Sequence, residues 1–311
     1  MHPFTQRRSA SVAALGETGL IASIRRWLGP ACPPAPAGIG DDCAVLPAVR
    51  GRQLLTVDPV IYGEHFDDTV PPRAVGGKLF RRNLSDIAAM GGRPRAAVVA
   101  LALDPCVKLA WLEEFHRGLA AVSRRYDVPV VGGDVARHDG GIVATLTLLG
   151  EAGAGGVRVL TRTGARAGDR IFVTGVLGGS LASGHHCRFA PRLAEGAWLA
   201  RRPEVRALLD VSDGLAKDLP ALTPPGAEPA VEAAALPRRT GCDVHAALCD
   251  GEDYELLFAV TGGTEPEKFI RAWRRAFPRT RISCIGRFVP RGTRPPEALK
   301  MEDYRGYEHL R

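Results

Sequence analysis

The sequence predicts a mixed α/β (α+β) protein made of two domains, and three observations carry that prediction. The chain has 311 residues, against roughly 100–200 for a typical domain. Short apolar runs of strand length alternate with stripes of apolar residues at helical spacing, in both halves of the chain. A Gly/Ala-rich segment, 150–156, interrupts this pattern near the midpoint, so the expected domains are 1–150 and 151–311.

Taken in order, Leu20, Ile21, Ile24 and Leu28 recur at helical spacing and predict a short amphipathic helix that ends before the proline-rich stretch 30–36. Residues 53–57 read as a strand, 72–90 as a helix, and 96–103 as a buried strand because its apolar run scarcely alternates. Leu109, Leu112, Phe115, Leu119, Val122 and Tyr126 step by three or four, the strongest helical stripe in the chain. Strands follow at 128–131 and 142–149, the second alternating Thr145 and Thr147 with apolar neighbours. In the second half, strands are expected at Arg170–Thr174, Glu255–Val260 and 282–286, with helices around 215–219 and 267–277. No internal repeat is visible.

Composition excludes several classes. Hydrophobic residues at 45% and charged residues at 24% match a globular protein and exclude wholesale disorder. Glycine (36) and proline (24) supply many turns without the periodicity of a fibrous protein. The longest apolar run, 96–103, falls far short of the roughly 18 residues of a membrane span. The stretch 12–15 after Arg7 and Arg8 is too brief for a secretory signal, so a cytoplasmic protein with no membrane association is expected. Seven scattered cysteines without a CxxC fit a reducing compartment. His185-His186-Cys187 is the one local metal-like cluster, and adjacent histidines seldom chelate together without ligands from elsewhere. The net charge of +7 is carried mostly by arginine and suits anionic ligands such as nucleotides. Aromatic-basic interleaving is lacking, so nucleic acid is not an expected partner.

The familiar nucleotide signatures, P-loop, GxGxxG and kinase catalytic loop, are missing. Asp instead recurs beside Gly or Ser at expected strand ends and helix starts: Gly38-Ile39-Gly40-Asp41-Asp42, Thr56-Val57-Asp58, Asn83-Leu84-Ser85-Asp86, Gly132-Gly133-Asp134 and Asp210-Val211-Ser212-Asp213-Gly214. Each has a plain alternative as a turn or a helix cap, with Ser212 or Asp213 the candidate cap for the helix after Gly214. Asp86 fits that alternative least, because a carboxylate near a helix C-terminus opposes the macrodipole. Together the carboxylates read as a magnesium-nucleotide site, since Mg²⁺ takes oxygen ligands and is usually shared between a few carboxylates and substrate phosphates. Gly132-Gly133 would let backbone N–H groups approach phosphate oxygens closely. In the pair Asp41-Asp42 only one side chain is expected to reach the metal.

In this order the motifs resemble those of the thiamine-monophosphate kinase family, whose superfamily also holds aminoimidazole ribonucleotide synthetase, selenophosphate synthetase and a hydrogenase maturation factor. The resemblance spans nearly the whole chain and includes Gly63-Glu64-His65-Phe66, Asn83 through Gly91, Leu160-Thr161-Arg162-Thr163-Gly164-Ala165, Gly168-Asp169, Gly251-Glu252-Asp253-Tyr254-Glu255-Leu256 and Gly306-Tyr307-Glu308-His309. It implies a two-domain aminoimidazole ribonucleotide synthetase-like architecture and ATP-dependent phosphorylation of thiamine monophosphate to thiamine diphosphate, with several Mg²⁺ ions. By motif match it implies Asp42, Asp58, Asp86, Asp134, Asp210 and Asp213 as metal ligands with Thr56 assisting, and Gly133, Asp134, Arg162 and Ser212 as ATP contacts. It further implies His65, Glu252 and Tyr304 as substrate contacts, and a homodimer formed through the N-terminal domains. No general base is expected, because the acceptor is an already anionic phosphate oxygen and phosphoryl transfer depends on positioning and charge neutralisation. Three positions depart from the family pattern: Val57 replaces a hydroxyl residue, Asp250 a glycine and Tyr304 a tryptophan. A paralogous enzyme with another small acceptor, or an inactive nucleotide-binding homologue, is the alternative reading.

Overall fold

The structure, a computed structural model, describes residues 1–40, 43–48, 51–153, 155 and 157–308. The chain divides into two compact units, one formed by Met1–Ile87 with Arg93–Ala154 and the other by Ala88–Gly92 with Gly155–Arg311. Among the described residues no helix is long and apolar enough to cross a membrane.

The first unit contains α1 (Gly16–Leu28), β1 (Arg52–Ile61), α2 (Pro72–Ala89, whose last two residues belong to the second unit), β2 (Arg93–Leu103), α3 (Leu109–Tyr126), β3 (Val130–Arg137) and β4 (Ile142–Ala152). Its four strands run in the order β1-β4-β2-β3, antiparallel except for the parallel pair β2 and β3. β4 alternates buried and half-buried residues along its whole length, the signature of a sheet covered on one face only. Leu146 and Leu148 point to the covered face, and the α3 stripe of Leu112, Phe115, Leu119 and Val122 is buried as the helical spacing predicts.

The second unit contains β5 (Arg170–Thr174), α4 (Ser180–Ser183), α5 (Leu193–Leu199), β6 (Val205–Val211), α6 (Leu215–Leu222), β7 (Ala227–Val231), α7 (Val244–Cys249), β8 (Glu255–Val260), α8 (Pro266–Ala276) and β9 (Ile282–Pro290). Its antiparallel sheet has the order β6-β8-β5-β9-β7. Ile171, Val173, Leu209 and Leu257 pack with Leu215 and Leu219 of α6 in one core cluster. Phe172, Leu208 and Phe258 pack with Phe269 and Trp273 of α8 in another. With apolar partners for both sets of side chains, all six residues of β8 are buried, which is why it reads as an apolar run from Leu256 to Val260 after Glu255.

Candidate functional site

In the first unit, Thr56 and Asp58 stand two residues apart on β1 and so share a face of the sheet. Their register with Leu148 and Leu146 makes that the covered face. Thr56 Oγ1 donates a hydrogen bond to Asp86 Oδ2 near the end of α2. Asp58 Oδ1 lies 3.5 Å from Arg82 Nη2, and Arg82 Nη1 donates to the Pro59 carbonyl at 2.7 Å. Arg82 and Asp86 are i and i+4 on one helix face, and that spacing was the signal by which sequence reasoning could have found Arg82. His65 is pinned in the turn after β1: the Ile61 N–H donates to its Nδ1 at 3.2 Å, and the fully buried Lys78 donates to its carbonyl at 2.9 Å. With Nδ1 accepting, the proton of the neutral ring sits on Nε2.

Asp134 is not brought to this group. It pairs with Ala100, Ala100 with Thr145, and Thr145 with Pro59, so it lies on the opposite face of the sheet from Thr56 and Asp58. It also occupies the opposite edge strand, three strand spacings or about 14 Å away. The segment Gly132-Gly133-Asp134, just past the strand expected at 128–131, is part of β3. A Cβ on Gly133 would lie 2.1 Å from the Val99 carbonyl oxygen, so the close approach of β2 dictates glycine there. Asp42 lies outside the described residues.

Beside β3 a cavity of about 450 Å³ is walled by Ile21, Ile24, Leu28, Val99, Leu101 and Leu119, with Gly40, Gly133, Asp134 and His116 also on its lining. It therefore brings Ile39 and Gly40 to the same place as Gly132, Gly133 and Asp134. His116, which sequence reasoning did not single out, is 1% exposed, and its Nδ1 donates to the Leu112 carbonyl at 2.8 Å. Burial pushes its pKa down to about 4, so the ring is neutral with Nε2 as the acceptor.

In the second unit, Asp210 is buried on β6, paired in register with Leu256. Ser212 and Asp213 follow in the turn before α6, and neither caps that helix, whose N-cap Gly214 makes no side-chain bond. The hydrogen bonding runs the other way: Asp218, one turn into α6, accepts the N–H groups of Ser212 and Asp213, each at 3.0 Å. Burial first, and the charge of Asp210 second, raise Asp218 to about 7. Lys217 Nζ sits 3.0 Å from Asp213 Oδ2 and donates to the Tyr307 carbonyl at 2.6 Å, tying the 304–308 segment to the same turn. Asp218 and Lys217 were both missed, although both fall in the helix expected around 215–219. Glu252 is joined to Ser212 through the backbone, its N–H donating to the Ser212 carbonyl at 2.6 Å. Tyr254 Oη is 3.5 Å from Glu252 Oε1, and Phe189 stacks on the Tyr254 ring with centroids 4.1 Å apart. Tyr304 is half-buried against the core with His245 as its ring neighbour at 6.1 Å. Arg162 is exposed.

His185 and His186 spend ring nitrogens on the carbonyls of Asp253 and Ser180, at 3.2 and 3.1 Å. Among the described residues no group of three or more His, Cys, Asp or Glu side chains could hold a metal ion. The carboxylate and hydroxyl oxygens that do converge, Thr56 with Asp86 and Asp210 near Asp218, suit a hard cation shared with phosphate oxygens rather than an all-protein cage.

Comparison with known proteins agrees with this arrangement. The family model "AIR synthase related protein, N-terminal domain" matches residues 40–152. A thiamine-monophosphate kinase of Salmonella typhimurium is 35% identical over 312 residues, covering 88% of this chain and 91% of its own. The crystal structure of thiamine-monophosphate kinase from Stenotrophomonas maltophilia superposes with a TM-score of 0.73 at 30% identity, covering 89% of this chain and 95% of that one. AaThiL complexed with AMPPCP and TMP superposes with a TM-score of 0.69 at 28% identity, covering 99% and 100%. The chain belongs to the thiamine-monophosphate kinase family and is a kinase of aminoimidazole ribonucleotide synthetase-like fold.

Proposed function

We propose that this protein transfers the γ-phosphoryl group of ATP to the phosphate of thiamine monophosphate, giving thiamine diphosphate and ADP. The observation that carries this reading is the near-full-length similarity to thiamine-monophosphate kinases. A structural relative binding TMP together with AMPPCP, an ATP analogue, supports the same substrate pair. An acceptor phosphate oxygen, already ionised, attacks the γ-phosphorus in line as the bond to the β,γ-bridging oxygen breaks and the electron pair leaves on ADP. No proton has to be removed, so the chain contributes positioning and charge compensation.

Asp42, Thr56, Asp58, Asp86, Asp134, Asp210 and Asp213 would hold Mg²⁺, which when bound neutralises the charge of two polyanions. Gly133, Asp134, Arg162 and Ser212 contact ATP, and the apolar cavity beside His116 receives the adenine ring. His65, Glu252 and Tyr304 contact thiamine monophosphate, with the Glu252 carboxylate opposite the cationic thiazolium and Tyr304 as a stacking face. Asp58 and Asp134 lie on opposite faces and opposite edges of the sheet, and the open face of that sheet is where a second copy of the chain would pack. That face carries Leu55, Val57 and Val98 at 73%, 58% and 38% exposure, and a homodimer through it would bury them.

Incubating purified protein with ATP and MgCl₂, with and without thiamine monophosphate, and separating the products by chromatography tests the reading. Thiamine diphosphate and ADP in equal amounts are expected. ADP release without thiamine diphosphate would refute the acceptor assignment.

A further inference from the structure

Between α7 and β8 the backbone takes a shape that no regular element explains. Glu252 and Tyr254 have φ of 63° and 51°, left-handed values that cost a non-glycine residue roughly 1–2 kcal/mol and persist only where the surroundings impose them. One side of this segment is fixed by the end of β6: Glu252 N–H donates to the Ser212 carbonyl at 2.6 Å and Tyr254 N–H to the Val211 carbonyl at 2.8 Å.

The other side is fixed by the turn after β5. Gly178 and Gly179 are consecutive left-handed residues with φ of 82° and 66°. The Gly178 N–H donates to Asp253 Oδ2 at 2.9 Å, and the Gly179 N–H to Asp250 Oδ2 at 2.7 Å. Ser180, next in line, donates its hydroxyl to the Glu252 carbonyl at 2.6 Å. Three successive residues of one turn thus grip residues 250–253. Two of the three bonds end on carboxyl oxygens, which accept most strongly when ionised. Asp250 is the member of this grip that departs from the family pattern, which has glycine there. Its carboxylate is engaged by the Gly179 amide.

We infer that Asp250 is a positioning residue, which clamps the 178–180 turn onto the Glu252 segment and so fixes the carboxylate that receives the acceptor substrate. The inference rests on the assignment of Glu252 to thiamine monophosphate, and its test separates the two. Asp250→Gly, the family's own residue, removes the acceptor oxygen, whereas Asp250→Asn keeps one. Asp250→Gly is expected to raise the KM for thiamine monophosphate on the order of tenfold, the low end of the effect of losing one charge-assisted bond. The KM for ATP and kcat should stay within about twofold, and Asp250→Asn should restore the acceptor KM. Amide exchange at 178–180 should quicken in Asp250→Gly. An unchanged acceptor KM in Asp250→Gly, or an Asp250→Asn variant as impaired as Asp250→Gly, overturns the inference. If the wild type forms no thiamine diphosphate, the substrate assignment fails by itself, and equal amide exchange in wild type and Asp250→Gly would then overturn the clamp.

Discussion

The backbone N–H of Glu252 donates to the carbonyl of Ser212 at 2.6 Å, so a residue proposed to meet the acceptor and one proposed to meet the nucleotide are locked side by side. A change confined to the Glu252 side chain leaves that backbone bond intact and should act on one substrate alone. Glu252→Gln is expected to raise the KM for thiamine monophosphate about tenfold, the worth of one interaction with a charged group, with little change in the KM for ATP. Steady-state kinetics with each substrate varied in turn checks this, and equal effects on both would count against the assignment.

Asp86 stands near the C-terminal end of α2 with the Thr56 hydroxyl donating to it. A carboxylate placed against the helix dipole and supported in this way suits a cation. Asp86→Asn should weaken binding of Mg-AMPPCP by about tenfold or more, and Thr56→Val should do so in the same direction by a smaller factor. Calorimetric titration with and without MgCl₂ reads both. Binding that is equally tight in wild type and Asp86→Asn would remove Asp86 from the metal set.

The open sheet face of the first unit offers Leu55 and Val57 from β1. Replacing both by Asp places like charges on the surface where two copies are proposed to meet, which should weaken association at least on the order of tenfold. Sedimentation at several concentrations measures it. A variant with the wild-type assembly state would exclude this face as the contact.

His116 is fully buried and neutral, with a pKa of about 4 against an ordinary 6.5. Its folded pKa lies below the unfolded one, so its contribution to stability is complete above pH 6.5 and is lost as pH falls from there toward 4. The full loss is roughly 3 kcal/mol. Urea unfolding at pH 7, 5.5 and 4.5 should show a steeper acid decline in the wild type than in His116→Gln, which cannot titrate there. Parallel declines would contradict it.

The helices of the first unit were legible because their apolar residues keep one period: the 109–126 stripe is α3. Strand limits were harder to read, and prolines account for much of that. β1 runs on through Pro59 and β7 contains Pro229, and both are edge strands, where a missing N–H costs no ladder bond. β2 begins at Arg93 and accommodates Pro94 where its register with β4 shifts. β6 escaped notice because its short run does not alternate and is interrupted by Arg206 and Asp210.

For the candidate site, residue types were legible and placements were not. Asp58, Asp134 and Asp210 sit within strands, where strand ends and helix starts were expected. Arg82 pairs with Asp58, Lys217 with Asp213, and Asp218 holds the Ser212 and Asp213 amides, contacts that only the folded chain brings about.

The central claim is direct transfer of the γ-phosphoryl group to thiamine monophosphate. It is tested most directly by a single turnover with γ-³²P-labelled ATP, excess enzyme, MgCl₂ and thiamine monophosphate, quenched in acid. The account predicts the label in thiamine diphosphate, with none on the protein. Label on the protein or in inorganic phosphate, with unlabelled thiamine monophosphate recovered, would contradict it.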